Sequence, residues 1–120
     1  MSTIESTFDL HDLREHIAAG DLEAFGAMLA DDVEWRVVDQ RTPPAAPAVR
    51  HGRDEVVAMI RGAVERGIVT HVSDAFVNED RGAFQLVCTY PAGGQVVENA
   101  LAEIRGGRIV RWSGVQAWDA

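Results

Sequence analysis

Two titratable side chains interrupt otherwise alternating apolar segments: His71, within Ile68 to Asn78, and Glu98, within Gln95 to Arg105. An unperturbed imidazole titrates near neutrality and can pass a proton in either direction. A carboxylate among Val96, Ala100 and Ala102 must be protonated, paired or solvated, because a lone buried charge is costly. Desolvation would raise its pKa toward that of a working acid or base, and a nearby imidazole would pull it down again. The pair predicts proton-transfer chemistry, with His71 and Glu98 as the catalytic groups. The bland alternatives are a hydrogen-bonded or outward-facing histidine and a carboxylate wetted at an open rim.

Period-two alternation divides each strand into two faces. On 95–105 the even residues Val96, Glu98, Ala100, Ala102 and Ile104 are the more apolar set and face inward. The same test predicts Val110, Trp112, Gly114, Gln116 and Trp118 inward on 108–118, with Ile109 and Val115 outward. Phe84, Leu86, Cys88 and Tyr90 face inward on 83–90, and Val33, Trp35 and Val37 on 33–38. On 68–78, His71, Ser73, Ala75 and Val77 are placed inward because Asp74 would otherwise be buried. The outcome is an apolar wall with few polar interruptions, as in small-molecule pockets. Its ligand-binding residues are expected to be Trp35, Val37, Phe84, Leu86, Cys88, Tyr90, Ala100, Trp112, Gly114 and Gln116. Ala100 and Gly114 leave room where close packing would want bulk. The expected ligand is a small hydrophobic organic molecule, which the tryptophans can stack on; as often, such rings are simply core.

Other chemistries find little support. His11 and His16 are five apart, off the i, i+4 face of helical zinc motifs, so no metal is expected. The paired glycines suit hairpins rather than phosphate cradles, and no cofactor is expected. Cys88, the single cysteine, cannot close an internal disulfide and reads as a small hydrophobe. A formal charge of -8, with basic residues scattered singly, disfavours nucleic acid and anionic membranes. No apolar stretch approaches the roughly 20 residues of a membrane span, and residues 1–10 lack a leader pattern, so a cytoplasmic location is expected.

The elements that must position these residues read as three helices followed by a meander. Asp9 or Thr7 caps a helix with Leu10, Leu13 and Ile17, which Gly20 ends; Asp21 caps a second with Leu22, Phe25, Met28 and Leu29. A strand at 33–38 leads to the proline-rich loop 42–47. A third helix follows Gly52, with Val56, Val57, Ile60, Ala63 and Val64 on one face. Four antiparallel strands complete the chain, joined by tight turns at 91–94 and 106–107. The class is α+β, in one domain over 1–120.

Ala19-Gly20-Asp21-Leu22, Ala30-Asp31-Asp32-Val33, His51-Gly52-Arg53-Asp54 and Gly107-Arg108-Ile109-Val110 followed by Trp112 and Asp119 carry a family resemblance. In order and spacing the chain resembles the nuclear transport factor 2-like superfamily, and within it the SnoaL-like polyketide cyclases. The resemblance implies a cone-shaped, curved, antiparallel or mixed sheet wrapped around three helices, an internal pocket, and a homodimer through the outer sheet face. That face would carry Val87, Val97, Leu101, Ile109 and Val115.

The family's acid–base positions are mostly absent. Where ketosteroid isomerases carry a tyrosine, a base and a second acid, this chain has Leu13, Val37 and Ala100. SnoaL-like cyclases place an aspartate near that last position, and limonene epoxide hydrolase has one where Gly114 stands here. Thr70-His71 is similar to the histidine of scytalone dehydratase, which makes His71 the one transferable position. Two function classes therefore stay open: an acid–base enzyme acting on a hydrophobic metabolite (isomerase, cyclase, dehydratase or hydrolase), and a non-catalytic binder or sensor. A third, an interaction module working through its outer sheet, is compatible with either.

Overall fold

The computed structural model describes residues 7–119. Its elements are α1 (Leu10–Ala19), α2 (Leu22–Ala27), β1 (Leu29–Val38), β2 (Ala48–His51), α3 (Arg53–Glu65), β3 (Val69–Val77), β4 (Arg81–Thr89), β5 (Gln95–Arg105) and β6 (Arg108–Trp118). The six strands form one mixed sheet in the order β2-β1-β6-β5-β4-β3. Only β1 and β6 are paired in parallel; every other pair is antiparallel. The α+β class and the three helices are as expected, and the sheet is open.

Short-range chemistry sets the helix ends. The Asp9 carboxylate accepts from Asp12 N at 3.0 Å and that of Asp21 from Ala24 N at 3.1 Å, so each satisfies a donor left free by the first helical turn. Between them Gly20 takes a left-handed φ of 67°, which turns the chain without the penalty a Cβ would carry. At the start of α3, Arg53 donates to the Leu29 carbonyl at 2.8 and 3.2 Å and pairs with Asp31 at 2.8 Å. One guanidinium thus ties α3 to the irregular start of β1, where pairing with β6 shifts between Leu29 and Glu34.

The helices cover one face of the sheet. Leu13, Phe25 and Val56 meet Leu29, Val33, Trp35, Leu86, Ile104 and Trp112 in a single apolar core. Trp112 is its centre. Its ring lies parallel to Trp35 at 4.3 Å and stacks on Phe84 at 5.3 Å, while Phe25 meets Trp35 edge-on. The first stack follows from topology, since Trp35 and Trp112 are direct partners across the parallel β1–β6 ladder.

The structure departs from the sequence reading at four places. α2 ends at Ala27, and Leu29, expected on that helix, opens β1 instead. Residues 48–51, unassigned between the loop 42–47 and Gly52, form β2; the run is too short to carry a periodic signal, yet it adds an edge strand to β1. On β3, Val72 pairs with Leu86 and Asp74 with Gln85, leaving Ser73 as an extra residue. This bulge reverses parity midway, so Thr70 and Val72 face inward before it and Ala75 and Val77 after it. His71 and Ser73 are consequently exposed on the other side. On β6, Val110 is the extra residue between the Ile104–Ile109 and Glu103–Arg111 pairs. Ile109 is therefore fully buried rather than outward, and Val110 only half-buried.

The remaining outward positions are exposed as expected at Val97, Leu101 and Val115, while Val87 is half-buried. Phe76 and Val69 add to the exposed apolar side chains.

Gly82 makes room for Phe84. A Cβ on Gly82 would stand 2.6 Å from the Phe84 ring, which is held in turn by Phe8 and Trp112. Gly82→Ala should lower stability by about 1–3 kcal/mol through overpacking. Adding Phe84→Leu should recover part of that loss, and urea denaturation of the two variants and the parent measures both steps.

Candidate active site

Between the sheet and the helices lies a cavity of about 460 Å³. Trp35, Val37, Leu86, Cys88, Trp112 and Gln116 line its sheet side, and Ile17, Leu22, Phe25, Met59 and Ile60 its helix side. Tyr90, Asp39, Asp21 and Arg66 also border it.

Among the described residues Glu98 is the one buried charged side chain, 5% exposed, and it borders this cavity. Its position follows from β5, where every even residue from Val96 to Ile104 is buried. Each carboxylate oxygen has its own donor: Trp112 Nε1 donates to Oε2 at 2.6 Å and Gln116 Nε2 to Oε1 at 2.7 Å. Gln116 sits directly opposite Glu98 on β6, whereas Trp112 lies further along the same inward row. Hydrogen bonds of this kind, to a charged acceptor, are each worth about 1.5–3 kcal/mol. Burial nonetheless pushes the Glu98 pKa above its ordinary value, and the donors Gln116 and Trp112 offset only part of that shift.

The carboxylate has room because residue 114 is glycine. A Cβ there would fall far inside contact distance of Glu98 Oε2, at 2.9 Å from its Cδ and 3.1 Å from Trp112 Nε1. Gly114 is thus the floor on which the Glu98–Trp112 bond is laid. Cys88 borders the cavity on β4, with the Thr70 hydroxyl 3.3 Å from its sulfur. Burial pushes its thiol pKa up, the Thr70 bond opposes this, and the Glu98 charge raises it further, so the thiol form is favoured.

Of the expected ligand-binding residues, Trp35, Val37, Leu86, Cys88, Tyr90, Trp112 and Gln116 do border the cavity. Phe84, Ala100 and Gly114 do not. Phe84 is buried behind Trp112, and Ala100 and Gly114 are paired backbone neighbours that support the site from beneath. His71 is exposed and outside the cavity, for the reason the Ser73 bulge supplies; the inward residue there is Thr70. The expected His71–Glu98 pairing is therefore replaced by Glu98 with Trp112 and Gln116.

A different histidine was missed. His16 on α1 is half-buried and borders the cavity. The signal was present in the helical spacing, since His16 stands three residues after Leu13 and one before Ile17, on the same face. Among the described residues no group of three or more His, Cys, Asp or Glu side chains is arranged to hold a metal.

Two outcomes follow from this geometry. A carboxyl whose pKa is higher folded than unfolded favours the folded state most at low pH, and loses that contribution as pH rises through the folded value. The stability of the parent relative to Glu98→Gln should therefore fall as pH rises above about 4.5, the ordinary glutamate value, and then level off; denaturation of both proteins across pH 4–8 measures it. Gly114→Ala should displace the Glu98 carboxylate and cost about 1–3 kcal/mol, by overpacking and by orphaning the indole donor. In a Glu98→Ala background the same change should cost clearly less, a coupling that a double-mutant cycle reads directly.

Comparison with known proteins places this architecture. A SnoaL-like domain model matches residues 10–112. No curated protein matches the chain. Among solved structures, an NTF2-like protein of unknown function from Mesorhizobium loti is 20% identical, with 89% of this chain and 86% of that one covered and a TM-score of 0.73. An NTF-2 like protein of unknown function from Burkholderia xenovorans LB400 is 16% identical, with coverage of 92% and 81% and a TM-score of 0.72. A candidate ketosteroid isomerase from Kribbella flavida DSM 17836 is 17% identical, with coverage of 92% and 74% and a TM-score of 0.70. At these identities the likeness is one of fold. With a family match reaching from the first residue of α1 to the central tryptophan of β6, the chain belongs to the SnoaL-like domain family of the nuclear transport factor 2-like superfamily.

Proposed function

We propose that the cavity binds a compact, mainly apolar organic molecule and that Glu98 exchanges a proton with it. The observation that carries this reading is the Glu98 carboxylate, 5% exposed yet bordering an apolar cavity, with two neutral donors and, among the described residues, no ion pair. Each oxygen accepts one hydrogen bond and keeps a further lone pair. As a carboxylate, Glu98 takes a proton from an activated C–H or O–H of the ligand. As the acid, it returns that proton to another atom of the same molecule, the sequence an isomerisation or cyclisation requires. Burial that raises the pKa brings the group closer to neutrality, where proton transfer in both directions is most efficient. Trp112 and Gln116 hold it in one orientation throughout, and the surrounding Trp35, Leu86 and Val96 keep water away.

Non-catalytic binding is the second reading. It is favoured by the exposed position of His71 and by the apolar residues Leu13, Val37 and Ala100 at positions where related isomerases carry their acid–base groups.

Deuterium exchange at the α-carbons of 2-tetralone, a bicyclic enolisable ketone, tests the catalytic reading. Proton NMR in D2O should show exchange faster with the protein than in buffer. Glu98→Gln should lower the protein-dependent rate by about 10²–10⁴-fold, and His71→Ala should leave it unchanged. Glu98→Gln keeps its fold in this scheme because Gln116 can turn its amide to accept where it formerly donated. A ketone that binds by calorimetry but exchanges no faster than in buffer would establish the binding reading instead.

A further inference from the structure

The charges around the cavity restrict what it can hold. Three carboxylates border it, Asp21, Asp39 and Glu98, against the single guanidinium of Arg66 and the imidazole of His16. Arg66 is exposed, and its Nε is already committed to the Gly62 carbonyl at 3.1 Å. Asp21 and Asp39 cap backbone N–H groups (Ala24 for the first, Arg41 and Thr42 for the second), which fixes them beside the cavity. Glu98 receives only neutral donors, and among the described residues no ion pair includes it. An anion entering would meet the uncompensated Glu98 carboxylate in low-dielectric surroundings, whereas the one guanidinium on the cavity border, that of Arg66, is solvent-exposed and so screened. An uncharged molecule meets no such repulsion, and a protonated amine supplies the missing countercharge.

We propose that the cavity selects its ligand by charge, accepting uncharged or amine-bearing apolar molecules and rejecting carboxylates and other anions of the same shape. The inference rests on the reading of the cavity as a ligand site and adds the chemical class of its occupant. The chain's net charge of -8 acts in the same direction at longer range.

Three probes with one apolar body separate the possibilities: 1-adamantanol, 1-adamantylamine and 1-adamantanecarboxylate, titrated by calorimetry at pH 8 into the parent and Glu98→Gln. The alcohol and the amine should each bind at least about tenfold more tightly than the carboxylate, like-charge juxtaposition being costly at a buried site. Glu98→Gln should narrow that gap by weakening the amine and admitting the carboxylate. Carboxylate binding equal to or tighter than that of the alcohol would overturn the charge selection while leaving the cavity a ligand site. Binding of none of the three would remove the cavity's role as a ligand site and this inference with it.

Discussion

Keeping one carboxylate out of water is the constraint around which this structure is arranged. Glu98 can be buried only because the β5–β6 ladder brings two N–H donors to its two oxygens. That ladder in turn needs a residue without a side chain at position 114, beneath the carboxylate. Trp112 joins the polar requirement to the apolar one. Its indole nitrogen serves Glu98 while its ring is held between Trp35 and Phe84, so the donor has little freedom to move. The hydrogen bond is preorganised by core packing rather than by a further polar layer.

This arrangement explains how an apolar site can contain a charged group without unfolding. A carboxylate in such surroundings is disfavoured by desolvation, and two charge-assisted hydrogen bonds offset part of that cost. Burial therefore still raises the Glu98 pKa, which ties folding stability to pH through one group. The bulges on β3 and β6 belong to the same design. Each adds one residue to its strand and changes which side chains face the helices, so the inward row is assembled from both parities.

Much of this was legible in the sequence, and the exceptions share a cause. On β5 the contrast between Val96, Ala100 and Ala102 on one face and Asn99 and Arg105 on the other was strong enough to fix parity, and with it the burial of Glu98. Trp112, Gly114 and Gln116 followed for the same reason. On β3 the two faces differ little, and alternation contains no sign of an inserted residue; one serine moved His71 from the inside to the outside. Ile109 was misplaced by the equivalent insertion at Val110. The donors to Glu98 could not be read from any local pattern, because they depend on which residues β6 sets against β5. His16 is readable from helical spacing, since it shares a face of α1 with Leu13 and Ile17. Resemblance to relatives supplied the fold and the expectation of a cavity; the burial of Glu98 is read from the alternation of β5 instead.

The parallel pairing of β1 with β6 has a consequence for how the molecule is assembled. β1 and β2 together hold only one other sheet partner, and that partner is formed by residues 108–118. The helices and the two-stranded ribbon formed by residues 10–65 touch one another, through Phe25 on Trp35 and Arg53 on Leu29, but lack the strands that complete the core. The tryptophan stack at the centre of the core joins residue 35 to residue 112, so the loop that must close to form it spans most of the chain. Local pieces can form early, but the hydrophobic interior is completed only when the last strand slides between β1 and β5. Until then the face of Trp35 that stacks on Trp112 is uncovered, and the net charge of -8 disfavours association between incomplete copies.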